Sequence, residues 1–320
     1  MIDLQDIREA HKRIKHAIVN TPVMKSTTID KMTGCFVYFK CENFQRVGAF
    51  KFRGATNALI LLSDDEREKG VITHSSGNHA QALSLAASME GIPCTIVMPS
   101  NSPSVKIAAT RGYGADIVLC EPTLESREST AQALIDKHGY TLVHPYNNPT
   151  VIAGAGTAAL ELIEEVGTLD YVLTPVGGGG LLSGTSIATK GLCPDTKVIA
   201  VEPKNADDAY RSFKSGQLLP SIDPRTIADG LRTSLSELTF SIIREYVDDI
   251  ITVEEKEILN AMRLHWERMK MIVEPSGAVP LAGLLSCKEL FEAGSRIGII
   301  ISGGNVDLDG FFREFGRLID

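Results

Sequence analysis

Tyr171-Val172-Leu173-Thr174-Pro175-Val176-Gly177-Gly178-Gly179-Gly180-Leu181-Leu182-Ser183-Gly184 decides how the chain is built. An apolar strand, Tyr171 to Val176, runs into four glycines and then into small residues with helical character. A tight turn seldom needs four glycines. Without Cβ atoms, successive amides can turn toward one anion, and the dipole of the helix that follows favours negative charge there. The segment therefore predicts a parallel-sheet unit with a phosphate at the mouth of the strand.

Working outward, the same alternation of strand and helix recurs along the chain. Strands are predicted at Phe36-Lys40, Gly70-His74, Cys94-Met98, Asp116-Cys120, Thr141-His144, Lys197-Val201 and Arg296-Ser302. Ala80-Met89, Ser126-Lys137, Ile152-Val166 and Leu181-Lys190 carry helical spacing. Alternating strand and helix means an α/β protein, and continuous apolar strands mean mostly parallel sheets covered on both faces. With 320 residues the chain has length for two lobes. No linker composition marks a boundary, so it falls in ordinary loops, at Ser63-Asp64-Asp65 and between Pro145 and Pro149.

A net charge of −8, with no basic run, argues against nucleic acid and anionic membrane as partners. The acidic start and the lack of an apolar h-region predict no signal peptide, and no apolar run approaches a membrane span. Six scattered cysteines without a C-x-x-C pair read as buried, reduced thiols of a cytoplasmic protein.

Three further motifs carry chemistry. In Gly48-Ala49-Phe50-Lys51-Phe52-Arg53-Gly54-Ala55, a lysine stands between two phenylalanines. Aromatic surroundings push an ammonium toward the neutral amine that Schiff-base chemistry needs. Taken alone, the octapeptide reads more simply as an exposed lysine opening a helix. In Thr73-His74-Ser75-Ser76-Gly77-Asn78-His79-Ala80, a strand ends in hydroxyls and an amide before a helix begins. Capping needs one such residue; this loop offers three and a histidine, enough for a carboxylate pocket. Ile299-Ile300-Ile301-Ser302-Gly303-Gly304-Asn305 is a third apolar strand ending in small polar residues. Three such strand ends describe the crevice where open α/β sheets bind ligands. A rival reading makes the glycines a dinucleotide loop, with Glu202 on the ribose of a nicotinamide cofactor. Ser183 stands where the third fingerprint glycine belongs, and that reading leaves Lys51 unexplained. A non-catalytic small-molecule binder on the same fold ranks last, because no motif looks degraded.

Together these four motifs resemble the fold-type II pyridoxal-phosphate enzymes, in the branch of serine racemases and serine/threonine dehydratases. The resemblance extends from Thr21-Pro22-Val23 to Asn305 and looks closest to eukaryotic-type racemases. It implies two open-sheet α/β domains, as in tryptophan synthase β, with the cofactor in the cleft between them. Residues 1–64 and 149–320 would form the large cofactor domain, and 65–148 a small mobile one. Pyridoxal 5'-phosphate would join Lys51 as a Schiff base. Gly177, Gly178, Gly179 and Gly180 would cradle its phosphate, with Phe50 beside the ring, Asn78 at the 3'-oxygen and Ser302 at the pyridine nitrogen. Gly230 and Glu274 match further pocket positions. Ser75, Ser76, Asn78, His79 and Arg127 match substrate-binding positions, and Ser76 also the second base of a racemase. Glu202, the carbonyl of Ala206, and Asp208 match a divalent cation site; oxygen ligands of that kind suit Mg²⁺, Ca²⁺ or Mn²⁺. The implied activity is β-elimination from serine, threonine or 3-hydroxyaspartate to a 2-oxo acid and ammonia, with serine racemisation beside it, in a homodimer. Related racemases also respond to nucleotide, which is not predicted here. Tyr146 departs from the mammalian racemase pattern and looks like the dehydratases, and Thr233 replaces a serine.

Overall fold

A computed structural model of the chain describes residues 2–102, 104–308 and 311–312. Among the described residues ten strands form two sheets: β1 (Val23–Met24), β2 (Phe36–Cys41), β3 (Val71–His74), β4 (Cys94–Pro99), β5 (Asp116–Cys120), β6 (Thr141–Leu142), β7 (Tyr171–Pro175), β8 (Lys197–Pro203), β9 (Asp249–Val253) and β10 (Arg296–Ile301). The larger sheet runs in the order β1-β2-β10-β7-β8-β9, and the smaller in the order β5-β4-β3-β6. Only the two-residue β1 is antiparallel; every other pair is parallel, as continuous apolar strands demand. The chain lays down β1 and β2, leaves to build the whole smaller sheet, and returns through β7. That smaller sheet lies wholly between Val71 and Leu142.

Helices cover the larger sheet on both faces. On one side, Pro149–Val166 and Gly180–Leu192 approach until their backbones touch. A Cβ on Gly184 would stand 2.5 Å from the carbonyl of Ile152, so only glycine permits that contact. On the other side, Pro275–Ser286 packs with Val37, Phe39, Leu173, Val201 and Ile299 in the main core. A second core, holding Phe52, Leu83, Ile96 and Met98, ties the smaller sheet to the helix Lys51–Ile60.

Two expectations need amendment. Cys35, Cys41 and Cys94 are buried, but Cys120, Cys193 and Cys287 are half-exposed, because they sit at element ends and not in strand centres; all six are free thiols. The helices run longer than predicted, since caps extend them: Asn148 caps Pro149–Val166 by accepting from the amides of Thr150 and Val151. Among the described residues no helix is long and apolar enough to cross a membrane.

Candidate active site

The four motifs meet at the C-terminal ends of β3, β7 and β10, and hydrogen bonds join those of Lys51, Asn78 and Ser302 one to the next. Phe50 donates its amide to the carbonyl of Ser302 at 2.9 Å, Gly304 donates to Gly48 at 2.9 Å, and Ala49 bridges Gly303. Gly48 has φ +70° and would place a Cβ 2.8 Å from Asn305 Oδ1, so the loop requires glycine there. Asn305 Nδ2 donates to the carbonyl of Val47 (2.6 Å) and to Asn78 Oδ1 (2.9 Å). Asn78 Nδ2 in turn donates to Glu274 Oε1 at 2.9 Å.

Lys51 opens its helix, as the simpler reading had it, but it is not exposed: it is half-buried. Its Nζ donates to the carbonyl of Pro145 at 2.8 Å and lies 5.0 Å from the Phe50 ring. Burial lowers its pKa to about 8. The expectation of two flanking rings fails for Phe52, which is fully buried in the core beneath the helix. Successive helical residues diverge by about 100°, so neighbours of Lys51 cannot all face the cleft.

The glycine segment packs on the loop that carries Pro145 and Tyr146. Gly179 has φ +85° and precedes the helix Gly180–Leu192 without any side-chain cap, which leaves its first N–H groups open to a ligand. A Cβ on Gly178 would lie 2.3 Å from the ring of Tyr146, and one on Gly180 2.8 Å from Tyr146 Cβ. Tyr146 continues a ladder of edge-on rings through His144 (4.6 Å between centroids) to His74 (5.7 Å). His144 Nδ1 accepts the amides of Tyr146 and Asn147, fixing the loop whose Pro145 carbonyl holds Lys51. Burial, then the charges of His74 and Lys51, lower His144 to about 4, so it is neutral and can accept.

Neither Ser75 nor Ser76 caps the helix Asn78–Glu90, whose cap residue is Gly77 with no side-chain bond. Ser75 Oγ accepts the Gly77 amide at 3.3 Å, and Ser76 is half-buried. The capping explanation for this loop therefore drops away. His79 is buried, with Nε2 on the carbonyl of Val143 at 2.9 Å, and burial drives its pKa to about 3. Glu274 is buried, and its carboxyl is raised to about 8, first by burial and then by the charge of Asp229. Gly230 donates to Ser276 Oγ at 3.1 Å. Ser302 is buried at the end of β10. Arg127, on the helix Leu124–His138, donates its Nε to the carbonyl of Thr123 at 3.4 Å, and its charge acts on His74 and Tyr146.

Glu202 ends β8, and Asp208 begins the helix Asp208–Ser215 instead of lying in a loop. Both are fully buried, so they do not form a solvated acidic turn. Glu202 accepts the amides of Ala209 (3.0 Å) and Tyr210 (2.8 Å), so it does not face a ribose. Asp208 Oδ2 accepts from Leu235, whereas Oδ1 is buried without a partner. Burial, then mutual charge, raises Glu202 well above the carboxylate range, and burial raises Asp208 to about 6. Ala206 is buried beside them. Among the described residues no cluster of three His, Cys, Asp or Glu side chains could hold a metal. A cation here would rest on two carboxylates and a carbonyl.

Sequence reading did not single out Pro145 or Asn305 as parts of the site, nor His144 as the group that orders it. His144-Pro145-Tyr146 held a signal, a histidine and a tyrosine around a proline at a predicted boundary.

Known proteins place this arrangement. The family model for "Pyridoxal-phosphate dependent enzyme" matches residues 14–303. Serine racemase of Dictyostelium discoideum is 53% identical over 96% of this chain and 96% of its own. L-threo-3-hydroxyaspartate ammonia-lyase of Saccharomyces cerevisiae is 51% identical over 95% of this chain and 93% of its own. The crystal structure of serine racemase from Dictyostelium discoideum superposes with a TM-score of 0.92, covering 96% of this chain and 99% of that one.

Proposed function

The chain belongs to the pyridoxal-phosphate-dependent enzymes, and from that premise we propose that it eliminates water from a small β-hydroxy amino acid, and that water then hydrolyses the released enamine to a 2-oxo acid and ammonia. Serine, threonine and 3-hydroxyaspartate are the substrate class. The observation that carries this reading is the Lys51 amine, half-buried, with a lowered pKa and a fixed acceptor on the loop that also packs against the uncapped glycine turn. Lys51, Gly177 to Gly180, Phe50, Asn78 and Ser302 would hold pyridoxal phosphate, and the helix N-terminus at Gly180, which no side chain caps, fits a phosphate. When bound, the cofactor takes up the electron pair left on the substrate α-carbon.

The side chains do the rest. With a pKa near 8, roughly a tenth of Lys51 is neutral at pH 7, enough for a nucleophile and a base. The Pro145 carbonyl gives the amine a hydrogen-bond partner whenever it is free. Ser75, Ser76 and the amides around Gly77 take the substrate carboxylate, and Asn78 is held square by Glu274 and Asn305. Glu274 accepts from Asn78 and, protonated near neutrality, keeps an O–H that a carboxylate would lack. Residues 65–148 act as a cap that closes on the substrate and excludes water.

Racemisation is a second activity of the same site, supported by a half-buried Ser76 hydroxyl that is not spent on capping. A divalent cation on Glu202, Asp208 and the Ala206 carbonyl is supported by the unpartnered Asp208 oxygen and by two buried acids with no cation against them. The enzyme works in the cytoplasm as a homodimer. Borohydride reduction of the cofactor-loaded protein, followed by peptide mapping, should label Lys51; an unlabelled Lys51 refutes the assignment. A panel of β-hydroxy amino acids scored for 2-oxo acid and D-amino acid identifies the substrate.

A further inference from the structure

Two residues beyond Lys51 the same helix carries Arg53, which points about 200° away around the axis, into the interior of the larger domain. Arg53 is fully buried and forks twice. Nε and Nη2 donate to the two oxygens of Glu42 (2.7 and 2.8 Å), while Nη1 and Nη2 donate to those of Glu161 (2.8 and 2.7 Å). Nη1 also reaches Thr157 Oγ1 at 3.1 Å. Lys40, fully buried, pairs with Glu161 at 2.7 Å and donates to the carbonyl of Thr21 at 2.6 Å; Thr21 Oγ1 closes the ring on Glu42 at 2.6 Å. Two cations and two anions thus form a neutral box joining the Lys51 helix to the end of β2 and to the helix Pro149–Val166. Burial alone would push Glu161 upward, but the hydrogen bonds and charge of Arg53, then of Lys40, hold it below the usual range.

Such a box is a poor way to gain stability, because desolvating four charges offsets most of their attraction and packed apolar residues would serve as well. What it does supply is direction. A planar guanidinium gripped along two edges by carboxylates from separate elements admits one orientation only. The backbones beside it leave no slack: a Cβ on Gly54 would meet the Val151 carbonyl at 2.7 Å, and one on Gly154 the Arg53 carbonyl at 2.7 Å.

We propose that the Glu42–Arg53–Glu161–Lys40 box positions Lys51 for its reaction, by fixing the rotation and depth of the helical turn from which both side chains leave. Arg53 is a positioning residue; it touches no substrate. The inference rests on Lys51 being the cofactor-bearing amine. Misplacing a reacting group by about 1 Å costs on the order of 100-fold in rate, so a small rotation of the turn shows first in the chemistry of Lys51.

The test uses full-length apoprotein and added pyridoxal phosphate. Arg53→Lys keeps the charge and loses the fork; the pair Arg53→Met with Glu42→Gln removes one charge of each sign and leaves Lys40 with Glu161. The control is Asn57→Ala on the same helix, where Asn57 donates to the Thr150 carbonyl at 2.7 Å and accepts from Arg13 at 3.0 Å. Both Arg53 variants should keep a thermal midpoint within a few degrees of wild type, yet form the borohydride-reducible Lys51 adduct at least tenfold more slowly. Asn57→Ala should lower the midpoint without slowing the adduct. Unslowed adduct in the Arg53 variants overturns the proposal, as does equal slowing in Asn57→Ala, or failure of both Arg53 variants to fold. If wild-type protein itself leaves Lys51 unlabelled, the assignment of Lys51 falls and takes this inference with it; a labelled wild type with unslowed variants removes the box alone.

Discussion

Lys51 has to be two things at once, protonatable enough to be released and neutral enough to attack. Burial supplies the second by lowering its pKa to about 8, while the Pro145 carbonyl accepts from either form. The sign is direct: protonation blocks the amine below that pKa, so capture of pyridoxal phosphate by apoprotein should speed up as pH rises and level off above about pH 8. A stopped-flow series from pH 6 to 10 measures this, and a midpoint at an ordinary lysine value contradicts the burial argument. Lys51→Ala should lose both the visible absorption band and all turnover. Ser76 separates the two proposed activities. Its hydroxyl is not used as a cap, and a positioned acid–base group contributes about 10²- to 10⁴-fold. Ser76→Ala should therefore cut D-serine formation from L-serine by about 100-fold and 2-oxo acid formation far less. Equal losses, followed by chiral chromatography and a coupled oxo-acid assay, would leave Ser76 as a carboxylate contact only.

At the scale of elements, the junction between β8 and the helix Asp208–Ser215 buries two acids side by side. Both pKa values are raised in the folded chain, so folding takes up protons. The stability this contributes is complete below the unfolded carboxylate range and is lost as pH rises through the folded value, about 6 for Asp208. Chelator-treated protein should therefore lose up to about 3 kcal/mol between pH 4 and 7 from Asp208, and Mg²⁺ should restore it increasingly as pH rises. Asp208→Asn should remove the Asp208 share of the pH dependence of that Mg²⁺ effect, read from thermal midpoints. This junction also shows what a sequence can and cannot disclose. Strand ends are legible, because β7 and β10 are continuous apolar runs that stop at glycine or serine, and two of the four candidate loops follow from them. Burial of Glu202 and Asp208 is not legible, since acids six apart look like a solvated turn until the helix amides of Ala209 and Tyr210 are seen to point at Glu202. Nor is the Asn305–Asn78 bond, which joins residues 227 apart, or the Tyr146 ring against Gly178. Local pattern predicts elements; pairing of loops from different strands depends on the assembled sheets. The two-residue β1 and the outer strand β9 likewise carry too short or too ordinary a pattern to stand out.

For the whole molecule, the question is what brings the two sheets together over the substrate. Lys51 with Pro145, and Asn78 with Glu274 and Asn305, span the gap inside the site. At its rim stands Lys106, on the helix Ser104–Gly112, 2.7 Å from Asp229, which adjoins Gly230 of the pocket. It is the one ion pair among the described residues that ties residues 65–148 to the rest of the chain. Because both ends reach solvent, with 23% and 48% of the side chains exposed, the pair is worth only about 0.2–1 kcal/mol. That is too little to matter for folding and enough to bias the proposed closure of residues 65–148. If the pair favours closure, Lys106→Ala should raise KM about two- to fivefold, the factor that up to 1 kcal/mol converts to, while kcat and the thermal midpoint barely change. Salt supplies the decisive control. Exposed charges are screened within about 3 Å at 1 M ionic strength, so the KM difference between wild type and Lys106→Ala should shrink toward nothing as salt is added. A difference that persists in high salt would mean that Lys106 acts through packing of its helix, and closure would then depend on the bonds inside the cleft.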